Sequence, residues 1–208
     1  MAMMAGFYGK IPARGDFLRA GLPRSFTDPW DEWLQSAIPA SRDALGEAWL
    51  GCWMEAPIWR FCLPDGGCGP DGVLGLWMPS VDRAGRHFPL AFALICPGAA
   101  PDVLAAAGTP WLDAAEAIGL DAIENATAPD TLSARLDALA APAAPATAAA
   151  PAALWWTAGA PQVAAASLRL PGLPDPGQFA TMLRTPALAK PRPSPAALHP
   201  DDEPWEAT

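Results

Sequence analysis

A serine, an aspartate and a histidine stand close together in Pro79-Ser80-Val81-Asp82-Arg83-Ala84-Gly85-Arg86-His87. A hydroxyl nucleophile, a carboxylate orienter and an imidazole base are the parts of an acyl-transfer site. All three would have to come from one tight turn, without the rigid elbow and converging amides that stabilise a developing oxyanion, so the spacing argues against a hydrolase built on Ser80, Asp82 and His87. The other histidine, His199, lies in a proline-rich stretch with nothing to hold it in catalytic geometry. Read as structure, the same turn has Asp82 accepting from turn amides and pairing with an arginine, Gly85 at positive φ, and Ser80 as a cap. Arg83 and Arg86 would then offer two guanidiniums, suited to bidentate contact with a carboxylate- or phosphate-bearing partner.

A second polar motif opens the chain, in Gly6-Phe7-Tyr8-Gly9-Lys10-Ile11-Pro12-Ala13-Arg14-Gly15-Asp16-Phe17. Gly9-Lys10 is followed by Ile11-Pro12 and lacks the metal-binding hydroxyl of a nucleotide loop. The segment reads as a strand running into a charged loop. The glycine cluster of residues 66–72 contains Pro70 and precedes a strand rather than a helix, so a hairpin loop is expected there and not a phosphate cradle. Cys52, Cys62, Cys68 and Cys96 have neither zinc-site nor redox-pair spacing and read as reduced core thiols. No catalytic set, metal or cofactor is expected. If the end of the first strand meets the turn after the third, Lys10, Arg14, Asp16, Ser80, Asp82, Arg83 and Arg86 form one polar patch, the candidate partner-binding site. The alternative is that Asp16 and Asp82 neutralise these cations inside the fold.

The elements that would position these motifs follow from periodicity. Strands are expected over residues 5–10, 58–63, 73–78, 88–96, 153–157 and 163–170. The run Leu90-Ala91-Phe92-Ala93-Leu94-Ile95 is apolar on both alternating faces, as a central strand covered on both sides requires. Short loops make the second to fourth strands an antiparallel meander. Helix starts are expected at Asp28-Pro29, Thr109-Pro110 and Asp175-Pro176, because proline in the first turn forfeits no hydrogen bond and the preceding residue can cap. Further helices are expected over residues 41–50 and 130–139. The fold class is α/β: a three-layer α/β/α sandwich with a mixed, largely antiparallel sheet, in one domain over residues 1–185. An Ala/Pro-rich linker over about 140–151 interrupts it, and a proline-rich mobile tail over 186–208 follows it.

The composition narrows the partners. The formal charge is −9 over 208 residues, which opposes nucleic acid and anionic membrane as ligands. The nearly uncharged residues 138–156 are mostly alanine and broken by three prolines, so they do not read as a membrane span. No signal-peptide pattern opens the chain, and a cytoplasmic location is expected. Ten tryptophans against one tyrosine form a heavy aromatic load, some of it available to a partner.

Several separated motifs, in order, resemble the TagF (ImpM) family of type VI secretion proteins. They are the opening Gly-Phe-Tyr-Gly-Lys-Ile-Pro-Ala-Arg-Gly-Asp-Phe, then Leu22-Pro23, Asp28-Pro29-Trp30-Asp31 with Trp33-Leu34, and Pro57-Ile58-Trp59-Arg60-Phe61. Met78-Pro79-Ser80-Val81-Asp82-Arg83, Gly85-Arg86, Phe88-Pro89-Leu90 and Leu154-Trp155-Trp156-Thr157 continue the series. The resemblance implies a non-enzymatic cytoplasmic regulator that acts post-translationally to restrain assembly or firing of the secretion machine. A forkhead-associated scaffold protein is the implied partner. A hydrolase, or a passive structural subunit of the apparatus, are the competing readings.

Overall fold

The computed structural model describes residues 3–143 and 152–185. Most of the Ala/Pro-rich linker and all of the proline-rich tail therefore lie outside the described residues. The strands are β1 (Met4–Gly9), β2 (Leu18–Ala20), β3 (Trp59–Leu63), β4 (Val73–Met78), β5 (Leu90–Ile95), β6 (Ala153–Thr157) and β7 (Ala166–Leu170). They form one sheet in the order β2-β1-β5-β4-β3-β6-β7, and every neighbouring pair is antiparallel.

Side-chain alternation divides the core into two layers. On β4 and β5, Val73, Trp77, Ala91, Ala93 and Ile95 face one layer with Trp30, Trp33, Trp155 and Phe179. Leu74, Leu76, Met78, Leu90, Phe92 and Leu94 face the other, with Trp111, Leu112 and Leu132. The first layer is covered by helices α1 (Arg24–Leu45), α2 (Trp49–Met54) and α5 (Pro176–Leu183), and the second by α3 (Pro101–Glu124) and α4 (Pro129–Asp137). This is the expected three-layer α/β/α sandwich, its sheet antiparallel throughout rather than mixed. Gly75 makes room for it: a Cβ there would lie 2.4 Å from the Phe61 ring and 2.6 Å from the Phe92 carbonyl oxygen.

Two of the three expected helix starts are corrected. Helix α1 begins at Arg24 and α3 at Pro101, leaving Pro29, Pro39 and Pro110 inside helices. An interior proline normally disfavours a helix by removing a hydrogen bond and crowding the preceding turn. Here the apolar stripes extend upstream of it, through Phe26 in α1 and Leu104 in α3, and their burial outweighs the local cost. The carbonyl that Pro29 leaves without its helical donor is that of Ser25, and Gly69 packs onto it so closely that a Cβ would lie 2.2 Å away. The glycine-rich loop thus serves as a hairpin connection seated on α1. The helix expected over residues 41–50 is split: α1 ends at Leu45, a 3₁₀ turn covers Gly46–Ala48, and α2 follows. The short β2 was not expected.

The third start holds. Asp175 accepts from the Gln178 amide at 2.8 Å while the Gln178 side chain accepts from the Asp175 amide at 2.8 Å, a reciprocal capping box opening α5. Asp175→Ala is expected to cost about 1 kcal/mol in urea denaturation, while Asp175→Ser retains most of the stability.

Candidate functional site

The opening motif and the 79–89 turn meet because β1 pairs with β5, Gly9 opposite Leu90. The approach at this corner is tight: a Cβ on Gly9, whose φ is 143°, would lie 2.0 Å from the Pro89 carbonyl oxygen. Lys10 therefore leaves β1 directly against the turn between β4 and β5.

That turn is organised around one carboxylate. Asp82 Oδ1 accepts from the Ala84 and Arg86 amides at 2.8 and 2.9 Å. Its Oδ2 accepts from Lys10 Nζ at 2.8 Å and from Arg86 Nε at 2.7 Å. The backbone closes the same loop, with the Asp82 amide donating to the Arg86 carbonyl and the Gly85 amide to the Asp82 carbonyl. Gly85 takes a φ of 81°. Burial by itself raises the Asp82 pKa, but the Lys10 ammonium, the Arg86 amide and guanidinium and the Ala84 amide outweigh it and hold this carboxyl well below the usual carboxylate range.

The candidate residues divide by exposure. The Lys10 side chain is 5% exposed and that of Asp82 is fully enclosed, whereas the Arg86 side chain is 61% exposed. Lys10 and Asp82 are thus an internal ion pair, and Arg86 carries the cluster to the surface. Arg86 also donates through Nη2 to the Gly15 carbonyl, and the Arg83 amide donates to the Arg14 carbonyl at 3.0 Å, which ties the opening loop to the turn. Arg14, Asp16 and Arg83 are exposed. Among the described residues, the side chains of Arg14 and Arg83 make no hydrogen bond or ion pair.

Ser80, Asp82 and His87 are not assembled as nucleophile, orienter and base. Ser80 is buried, and its Oγ has no hydrogen-bond partner among the described residues. Its carbonyl accepts from Trp53 Nε1 and from the Phe88 amide. Both Asp82 oxygens are engaged as described, and no hydrogen bond joins His87 to either residue among those described. The His87 ring instead stands edge-on to Trp49 and Trp53, at centroid distances of 5.3 and 6.2 Å. Burial, followed by the positive charge of Arg42, pushes the His87 pKa down, with Asp82 partly opposing. Among the described residues, no group of three potential ligands is arranged to hold a metal.

An aromatic groove that was not expected from the sequence lies beside the charged cluster. Phe17 stacks on Tyr8 and meets Phe88 edge-on at 4.7 Å, and Lys10 Nζ lies 4.6 Å from the Phe17 centroid. Tyr8 donates to Asp31 Oδ1 at 2.7 Å, anchoring α1 to the sheet; burial, reinforced by this hydrogen bond, raises the tyrosine pKa. Between these rings and α1 runs a depression of about 480 Å³ lined by Phe17, Leu34, Ile38, Pro39, Arg42 and His87, among others. It shares Arg42 and His87 with a neighbouring depression that reaches Trp49 and Leu50. The Arg42 guanidinium sits 4.2 Å from the Trp49 ring centroid. The spacing of Arg42 and Trp49 is the one available sequence signal, and the break in the helix between them obscures it. A second hollow of about 430 Å³, near Ile58, Trp156 and Gly159, contains Arg60, whose guanidinium is already paired with Asp113 and Glu116.

The chain matches the family described as "TagF N-terminal domain, Type VI secretion system-associated" over residues 6–139. No curated protein matches it. Among solved structures it is similar to PA0076 from Pseudomonas aeruginosa PAO1, at 33% identity and a TM-score of 0.81, over 90% of this chain and 97% of that one. The matched family segment contains both halves of the Lys10–Asp82–Arg86 cluster, and the structural likeness, over 90% of this chain, extends beyond that segment. Among the described residues, no helix is long and apolar enough to cross a membrane. The chain belongs to the TagF family of type VI secretion-associated proteins.

Proposed function

We propose that the protein acts in the cytoplasm as a post-translational regulator of type VI secretion, binding another protein of the machine and restraining its assembly or firing, with no catalysis of its own. A forkhead-associated scaffold protein is the partner this reading favours. The observation that carries it is the division of labour around Asp82. Buried Lys10 and Asp82 fix the turn, and the fixed turn and loop present Arg14, Arg83 and Arg86 to solvent next to the aromatic groove. Guanidiniums held on a rigid turn steer an acidic partner and set its register with little ordering cost. Asp16 contributes a neighbouring negative charge, which disfavours a uniformly acidic ligand in that position. Ser80 supports the turn from inside.

Arg86 is a poor probe of docking because it also holds Asp82. Arg14→Glu combined with Arg83→Glu reverses two exposed charges without touching that cluster. In pull-down from a secreting bacterium, this double variant is expected to lose at least about tenfold in partner capture while its thermal melting stays at the wild-type value. Full retention of the partner would remove this surface from consideration, and a lowered melting temperature would assign the arginines to the fold instead.

A further inference from the structure

The geometry points to an occupant for the aromatic groove within the chain itself: the acidic segment Asp201-Asp202-Glu203-Pro204-Trp205-Glu206, with Trp205 as its apolar anchor. Nine of the ten tryptophans lie in the described residues, eight of them buried and Trp156 partly so. Trp205 is the tenth, and it is flanked on both sides by acids. A large ring favours a concave apolar surface over water. The depression lined by Phe17, Leu34, Ile38 and Phe88 offers one, with Phe17 half-exposed in it and Leu50 exposed in the depression that adjoins it.

Charge selects this surface over others. On a protein of net charge −9, a segment so rich in carboxylates is repelled from most of the surface. The groove offers cations instead, because Arg42 lines it and Arg86 immediately precedes His87 on its rim, with Arg14 and Arg83 on the same turn and loop. Its nearby acids are Asp31, whose two oxygens accept from Tyr8 and Gln35, exposed Asp16 next to Phe17, and Glu47 in the adjoining depression.

The described residues end close to α2, whose start lines the depression adjoining this groove. The Thr185 amide donates to the Gln162 carbonyl, and Gln162 Nε2 donates to Glu55 at the end of α2, the short helix that carries Trp49 and Leu50. Helix α2 is about 9 Å long, and the connection from Thr185 to Trp205 spans about 25 Å even as a random coil. A docked tail covers the surface proposed above for the partner, so a partner would have to displace it; that consequence rests on the partner reading, whereas the docking itself does not.

Disulfide trapping in the full-length purified protein tests the docking. Gln35→Cys, beside the groove, is paired with Glu206→Cys, and the control pairs Ala134→Cys, exposed on the opposite helical layer, with Glu206→Cys. All four native cysteines are buried. The groove pair is expected to close within one chain about tenfold faster than the control, and the added changes Trp205→Ala or Arg42→Glu should abolish the difference. Trp205→Ala lies outside the described fold, so it removes the anchor even if Arg42→Glu disturbs α1. Equal rates for the two pairs, absence of closure, predominantly disulfide-linked dimers, or closure indifferent to Trp205→Ala would each overturn the inference. Partner capture after Arg14→Glu and Arg83→Glu is read separately, so either idea can fail alone.

Discussion

Trp155→Ala is expected to destabilise the protein by about 3–5 kcal/mol in chemical denaturation, the range for removing a fully buried large aromatic. Trp155 is fully enclosed, with its ring centroid 4.9 Å from that of Phe61, 5.9 Å from Trp33 and 6.3 Å from Trp30. Its Nε1 also donates to the Gly172 carbonyl at 3.0 Å. Alanine would leave a cavity between α1 and the sheet, and a carbonyl without its donor. The neighbouring Trp156 points to the opposite face and is only partly buried. Trp156→Ala should therefore cost substantially less. Equal losses would contradict the division of the sheet into two faces.

Asp82→Ala is the second large effect, and it acts through charge. It strands the buried Lys10 ammonium and frees two turn amides together with the Arg86 side chain. Breaking a buried ion pair from one side is far more damaging than replacing both partners, and the melting temperature is expected to fall by about 10 °C. The pH dependence identifies the cause. Since the folded protein holds the Asp82 carboxyl below its unfolded value, the unfolded chain binds more protons in that window. The stabilisation is present above about pH 4 and is lost as pH falls further toward the folded value. Asp82→Asn should thus show a flatter decline in melting temperature between about pH 5 and 2 than the wild type. Asp102 and Asp121, lowered chiefly by their hydrogen bonds with Arg169 and Arg135, titrate in both proteins and cancel in the comparison. Parallel declines would show that Asp82 contributes no such linkage.

The strands were more legible than the helix ends, for a physical reason. Strand identity rests on side-chain alternation, a pattern carried by adjacent residues such as those of Leu90–Ile95. A helix boundary depends on where burial stops outweighing local cost. Pro29 and Pro110 are strong local stop signals, yet Phe26 and Leu104 extend the buried stripes past them. At Asp175 the cap and the buried stripe agree, and the helix starts where its residues say it should. The three-residue strand β2 gains its pairing from β1 alone, with too little alternation of its own to be recognised.

The sequence by itself determined the layered α/β architecture, the meander and the family, whereas the meeting of Lys10 with Asp82 and Arg86 at one corner hung on the pairing of β1 with β5. Those properties follow from local periodicity or from motifs read in order. Only the tertiary structure decided which charges are interior and which face solvent, because desolvation depends on neighbours distant in the chain: Lys10 is buried by the turn that Asp82 organises, while Arg86 projects from it. The same is true of the groove. Phe17, Leu34, Arg42 and Phe88 acquire a common surface only when antiparallel pairing of β1 with β5 brings the opening loop over α1, a proximity that no spacing along the chain encodes.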